Sequence, residues 1–409
     1  MMVRGGTAKA TGRFEQKRQS IIESASILIN EQGVRGMGFA AVADHVGLTT
    51  TSVTYYFRKK DDLACACFER SLDHMDEQVA IAAREADPIA RVGRLTRLHL
   101  DQARDIREGG VAPFARLSDI RAMNDPMRDA LLERYRGVFR GVRALLGEGG
   151  GEKAHGLRSV RAHVLIEVLL WVPAWIDRYG LEDYGRVYRR MMELFVEGLT
   201  PPTGVWRPAS VSMPEVDDEG GPARRNFLMA ATRLINDRGY RGASVERIAS
   251  EINVTKGSFY HHLNAKDDLV LECFRRSLST ITEAQRCASA LPGTHLEQLQ
   301  SAVAALLAYQ FSPSGPLLRT TALQAIPVSM RGQVIDHSNR AAGRFADMMI
   351  DGITERSMRP VDPLIASQML MAAINAAYEQ RRWVDEGSIG DAVATYASTI
   401  FEGLAPRDR

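Results

Sequence analysis

LTTTSVTYYFRKKDDL at residues 48–63 and VTKGSFYHHLNAKDDL at residues 254–269 stand at corresponding places in a chain that repeats itself. Residues 18–72 align without a gap onto 224–278, and about 20 of the 55 paired positions are identical, the mark of a duplicated unit. Leu28, Ile29, Asn30, Gly33, Arg35 and Gly36 return as Leu234, Ile235, Asn236, Gly239, Arg241 and Gly242, and Lys60-Asp61-Asp62-Leu63 returns as Lys266-Asp267-Asp268-Leu269. The function of the unit is therefore expected in duplicate.

Upstream of each quoted stretch the pattern is helical. Ile21, Ala25, Leu28 and Ile29 fall on one face, as do Phe227, Ala231, Leu234 and Ile235, and Gly33 and Gly239 suit the end of that helix. A short second helix follows over 39–46 and 245–252, the latter with Ser244 as its cap. Gly47-Leu48-Thr49 and Asn253-Val254-Thr255 read as tight turns, because Gly and Asn tolerate left-handed backbone and threonine caps what comes next. A third helix is expected over Thr50–Phe57 and Lys256–Leu263, and then a long fourth helix whose first turn holds Asp61-Asp62 or Asp267-Asp268, where the helix dipole favours negative charge.

The 409 residues exceed one ordinary core, and the repeat divides them into halves of about 200 residues, each large enough to bury its own interior. A net charge of +2 is too small to point to a partner, so any nucleic-acid signal must be local. Cys65, Cys67, Cys273 and Cys287 lack the paired spacing of a zinc site; Cys67 and Cys273 are repeat-equivalent and suit a buried core. Arg4, Lys9 and Arg13 precede no apolar run, which excludes a secretory signal, and Val164–Ile176 is too short and carries Glu167, so no membrane partner is expected and the cytoplasm is the expected location.

The remainder is helical in period, near 94–107, 126–146, 158–179 and 184–199 in the first half and 295–311, 331–355, 362–384 and 390–403 in the second. Strand-like alternation is missing, and the fold class is all-α. Phe195-Val196-Glu197-Gly198-Leu199 is echoed by Phe401-Glu402-Gly403-Leu404, so duplication reaches the end of each half. The expected domains are a flexible basic arm (1–13), a first helix-turn-helix domain (14–75), a first helical regulatory domain (76–200), an extended Pro-rich linker (201–222) with an acidic patch, a second helix-turn-helix domain (223–281) and a second regulatory domain (282–409).

Helix, turn and second helix on a supporting helix is the arrangement of a helix-turn-helix DNA reader, with the third helix in the major groove. Its reading face is Thr49, Thr50, Thr51, Ser52, Thr54, Tyr55 and Tyr56 in one copy and Thr255, Lys256, Gly257, Ser258, Tyr260, His261 and His262 in the other. Hydroxyls reach phosphate oxygens or base edges, Lys256 adds charge, Gly257 admits close approach of the backbone, and Lys60 and Lys266 are candidates to hold a phosphate. Packing of one of Tyr55, Tyr56 and Tyr260 inside the small domain is the alternative reading of those aromatics. The basic arm, Arg4, Lys9, Arg13, Lys17 and Arg18, is either a further DNA contact or a solvated tail.

These residues resemble the TetR family of bacterial transcriptional regulators. The second stretch is the closer match, since the family favours Thr or Ser, Lys, Gly, a hydroxyl, an apolar residue and then Tyr; the first has Thr51 and Thr54 where glycine and tyrosine are usual, and Leu263 replaces a usual phenylalanine. The resemblance implies a repressor released from operator DNA by a small-molecule inducer, with no cofactor. It places a ligand pocket in the later helices, with candidates Phe114, Met123, Met127, His163, Trp171 and Trp175 in the first half and Tyr309, Gln324, Met330, Met369, Tyr378 and Trp383 in the second. Family members dimerise through their last two helices. Here two readers share one chain, so the halves are expected to pair within it, with further homodimerisation left open, on an imperfect palindrome because the reading faces differ. A helical ligand- or protein-binding scaffold with one or both readers inactive is the alternative. No nucleophile elbow, phosphate loop or metal-spaced His and carboxylate set supports an enzyme, and neighbouring His261 and His262 diverge on a helix.

Overall fold

The computed structural model describes residues 6–213, 221–242, 245–251, 266–313, 315–325, 328–384 and 388–404. Every regular element among the described residues is helical. No helix among them is long and apolar enough to cross a membrane. In chain order they are α1 (Gly6–Gly36), α2 (Phe39–Val46), α3 (Thr50–Tyr56), α4 (Lys60–Ala82), α5 (Pro88–Arg107), α6 (Asp125–Leu145), α7 (Glu152–Trp171), α8 (Tyr184–Glu197), α9 (Gly221–Gly242), α10 (Val245–Glu251), α11 (Lys266–Ser289), α12 (His295–Phe311), α13 (Val328–Thr354), α14 (Pro363–Ala376) and α15 (Ile389–Phe401). The chain divides into two compact units, residues 1–78 with 102–138 and residues 79–101 with 139–409. The first reader stands in one unit, whereas the second belongs to the other together with α7 and α8.

In the first unit, Ile21, Ile22, Ala25, Leu28 and Ile29 of α1 are buried with Val42, Ala43, Val53, Leu63, Cys67 and Phe68. Gly33 (φ 69°, ψ 166°) breaks α1 as expected of a C-terminal glycine, and one further turn runs to Gly36. Residues 6–13, read as a flexible arm, are instead the first turns of α1. No proline interrupts them, and once the buried Ile21–Ile29 face has nucleated the helix, each added residue gains a hydrogen bond at little cost. After α5, residues 112–116 cross the reader, and a turn of 3-10 helix, Leu117–Ala122, leads into α6.

The second unit repeats the reader scaffold. α9 is broken at Gly239 (φ 71°, ψ 163°), and α9, α10 and α11 bury Phe227, Leu228, Ala231, Ile235, Ile248, Leu269, Cys273 and Phe274. Cys67 Sγ lies 3.4 Å from the Ile22 carbonyl and Cys273 Sγ 3.6 Å from that of Leu228, so the two thiols hold corresponding places. α7 and α8 pack against α14 and α15. Between them, His163 Nε2 meets the Ala376 carbonyl at 2.9 Å, Trp171 Nε1 donates to Gln368 Oε1 at 3.3 Å, and Arg186 donates to Asp362 at 2.7 Å.

The echoed Glu-Gly-Leu triplets meet at this contact. Thr200 N donates to Phe401 O at 2.9 Å and Leu404 N donates to Phe195 O. Gly198 (φ 64°) backs onto the carbonyl of Phe401, and Gly403 (φ 89°) onto those of Phe195 and Val196. Each glycine is thus required twice over, by its left-handed backbone and by the close approach.

Three expectations need correction. The helix expected over 158–179 ends at Trp171, where Pro173 removes a donor, and continues as separate 3-10 turns. The helix expected over 362–384 changes to 3-10 at Ala377, where Tyr378 and Arg381 reach out to Asp237. Of the linker, residues 201–213 are non-helical and Gly221 and Pro222 already open α9, and residues 200–209 are not a free spacer: Trp206 lies 5.1 Å from the Phe401 ring, Gln300 bonds both Arg207 N (2.9 Å) and Val205 O (3.0 Å), and Ser301 Oγ accepts from Ala209 N (2.9 Å). The acidic patch at 215–219 lies outside the described residues.

Candidate nucleic-acid interface

The first reader's turn is built by two local devices. Gly47 (φ 69°, ψ 38°) closes α2 with Leu48 N donating back to Ala43 O at 2.8 Å, and Thr49 caps α3 by accepting from Ser52 N at 3.2 Å. α3 is anchored by buried Val53 and Phe57, which fixes the face turned outward. Thr49, Thr50, Thr51 and Tyr55 are exposed, while Ser52, Thr54, Tyr56 and Lys60 are half-buried. Tyr55 is 74% exposed, unusual for so large an apolar surface, and it stands edge-on to Tyr56 at 5.3 Å.

Several of the expected contact groups already have partners. Thr49 Oγ1 and Ser52 Oγ are 2.9 Å apart, Thr54 Oγ1 donates to Thr51 O at 2.9 Å, and Lys60 Nζ donates to Arg35 O at 2.7 Å. Thr50, Thr51 and Tyr55 are the side chains best presented to a groove. Phe14, absent from the sequence reading, joins them. Its ring lies tilted against Tyr56 at 4.7 Å and edge-on to Tyr55 at 6.1 Å, so the extended α1 is stapled to the reading helix, with Arg13 and Lys17 exposed beside it.

In the second reader, Thr255, Lys256, Gly257, Ser258, Tyr260, His261 and His262, with the cap Ser244, lie outside the described residues. Lys266 begins α11, as the repeat required, and its side chain is likewise undescribed.

The family of bacterial regulatory proteins named tetR matches residues 21–67 and again residues 227–273, the same two scaffolds. The HTH-type transcriptional repressor DhaR of Mycobacterium sp. (strain GP1) is 24% identical over 192 residues, 45% of this chain and 93% of that protein. The HTH-type transcriptional repressor KstR2 of Mycobacterium tuberculosis (strain ATCC 25618 / H37Rv) is 25% identical over 150 residues, 36% of this chain and 75% of that protein. Among solved structures, a TetR-family transcriptional regulator from Bordetella parapertussis 12822 covers 44% of this chain and 94% of its own, at 18% identity and a TM-score of 0.36. This chain belongs to the TetR family. Its unit is present twice in tandem, and it is a DNA-binding transcriptional regulator of a family made up of regulators, not enzymes.

Each reader is tied to the segment that follows its next helix by a duplicated fastening that periodicity does not reveal. Asn30 clasps the segment after α5 with both ends of its carboxamide: Nδ2 donates to Phe114 O at 2.8 Å and Oδ1 accepts from Arg116 N at 3.0 Å. Asn236 repeats this with Leu317 O and Arg319 N, both at 2.9 Å. In the first unit Arg70 adds hydrogen bonds to Ala112 O and Pro113 O, and its guanidinium lies 4.1 Å from the Phe114 ring, on which His74 also stacks at 4.4 Å. Burial lowers the pKa of both Arg70 and His74. The only earlier hint was that Asn30 and Asn236 are identical in the repeat.

The ligand candidates are divided between the two units. Phe114 belongs to this fastening, with Met123 buried and Met127 half-buried in the same unit. His163, Trp171, Trp175, Tyr309, Met330, Met369 and Tyr378 lie in the other unit. His163 and Trp171 bond across to the α14 region, and Met369 is buried within α14. Trp175 is buried against Tyr179, and Tyr378 donates to Asp237 Oδ1 at 3.1 Å with Arg381 stacked on its ring. Tyr309 has a buried hydroxyl with no hydrogen-bond partner among the described residues. Met330 is half-buried on α13, and the side chains of Gln324 and Trp383 are outside the described set. His163, Glu167 and Glu379 present ligand atoms within 4.8 Å of one another, a grouping the sequence reading did not single out.

Proposed function

We propose that one chain acts as a self-paired repressor, its two readers engaging the two halves of a single imperfectly palindromic operator, and that a small-molecule effector releases it. The observation that carries this reading is the reciprocal seating of Gly198 and Gly403 where α7 and α8 meet α14 and α15: contacts of the kind a homodimer makes between protomers are made here between the repeats of one chain. The docked linker supports it, because Trp206, Arg207 and Ala209 hold the connection against α12 and α15. The differing reading faces, with Thr51 against Gly257 and Thr54 against Tyr260, favour two different half-sites, each correct base contact being worth about 1–3 kcal/mol. Half-site centres would lie about 34–36 Å apart, or a multiple of that. Repression is the mode named for DhaR and KstR2.

The experiment is selection of bound DNA with the full chain, then footprinting of wild type, Thr50→Ala and Lys256→Ala. Loss of protection confined to one half-site by each substitution, on a site whose halves differ, supports the proposal. Equal affinity for symmetrised sites built from either half, or no footprint at any salt concentration, would contradict it.

A further inference from the structure

The two readers carry the same fastening, and that of the second runs on through its arginine. Asn30 and Asn236 grip corresponding backbone, and the residue whose N–H each one takes is an arginine, Arg116 or Arg319. Arg116 is exposed. Arg319 is buried, and its guanidinium forms ion pairs with Glu167 of α7, in the first repeat, at 3.2 Å and with Glu379, just after α14, in the second.

The first segment is held by α4 of its own reader, through Arg70 and Ser71, and the second has a matching tie to α11, Leu318 N donating to Ser277 Oγ at 2.8 Å. The second is sewn onto the helices beyond its reader: Leu317 N donates to Gln310 Oε1 of α12 at 3.0 Å, Thr320 N donates to Asn375 Oδ1 of α14 at 3.0 Å, and Asn375 Nδ2 donates to Leu318 O at 3.2 Å. Asp237, next to Asn236 on α9, accepts from Tyr378 and from Arg381 at 2.8 Å.

We propose that Arg319 is a positioning residue for the second reader: through the chain Glu167, Arg319, Asn236 it lets the first repeat set the placement of α9. This rests on the chain being a two-reader regulator. It makes the second reader answer directly to any rearrangement at the α7–α14 contact. Two charge-assisted bonds converging on a buried guanidinium give such a tie stiffness, because displacing Arg319 strands charge in a desolvated setting. The carboxylates that could have held a metal with His163 already share a cation in Arg319, which favours the relay over a metal centre at this place.

The test is amide hydrogen exchange on the full chain with Glu167→Gln, a near-isosteric change in the first repeat. The relay predicts that exchange at 233–242 of α9 rises about tenfold or more relative both to 27–36 of α1 and to 302–307 of α12. A general loss of stability in the second unit would raise 302–307 equally, and that outcome, like no change at all, overturns the proposal. With operator DNA the same variant should lose protection at the half-site lost by Lys256→Ala before the other; simultaneous loss of both would also count against it. The exchange measurement needs no DNA, so failure of the relay is distinguishable from failure of the two-reader reading.

Discussion

Replacing Gly403 with alanine should pry apart the contact between the two repeats. An added Cβ would lie 2.6 Å from Val196 O, 2.8 Å from Val196 C and 2.9 Å from Phe195 O, all backbone atoms that no rotamer change can move aside. The backbone at φ 89° adds strain of about 1–3 kcal/mol for a non-glycine residue, and overpacking adds about 1–3 kcal/mol, so the loss is about 2–6 kcal/mol. That is a large part of the roughly 5–15 kcal/mol that holds an ordinary domain folded. Urea unfolding measures the loss as a fall in midpoint, and proteolysis should begin to cut within 200–209 as the strap that leans on Phe401 comes loose. Gly343→Ala is the control: nothing lies within 4 Å of its Cβ on helix α13, so stability should hold or rise by up to about 1 kcal/mol. A Gly403→Ala protein within about 0.5 kcal/mol of wild type would refute the reasoning.

Two further outcomes test the first reader. Phe14→Ala should free the start of α1 from Tyr55 and Tyr56, weakening operator binding and flattening its dependence on salt if Arg13 and Lys17 neutralise phosphates; an unchanged salt slope, measured by titration, would assign those residues to solvent. His74, stacked on Phe114, has its pKa lowered below the ordinary 6.5, chiefly by burial, so the neutral ring is the form the fold prefers. Its contribution to stability is complete above the unfolded value and is lost as pH falls toward the folded one. His74→Gln should therefore lose less stability than wild type between about pH 7.5 and about pH 5.5, read from urea midpoints at each pH. An equal loss would show that His74 does not contribute.

The reader was legible because its determinants are local. Gly33, Gly47 and Thr49 specify a break, a left-handed turn and a cap, each within its own few residues, and the repeat doubled each signal. The Glu-Gly-Leu echo was legible as a repeat but not as a contact, since nothing in one triplet says that it will rest on the other. The Asn30 and Asn236 fastenings were hidden for a related reason: their partners lie 81–86 residues away, beyond any periodicity. Arg319 was hidden most deeply. An arginine beside Thr320 and Thr321 reads as surface, and the convergence of Glu167 and Glu379 on it helps make its burial tolerable. Phe14 was obscured by the polar residues around it, which read as a free arm until α1 proved continuous.

Light scattering on the complex with a single operator tests the central claim most directly. One chain per duplex, with a protein mass of 45.2 kDa and both half-sites protected, is the result expected of a self-paired chain. A protein mass of about twice that on the same operator, with each chain protecting only one half-site, would contradict it.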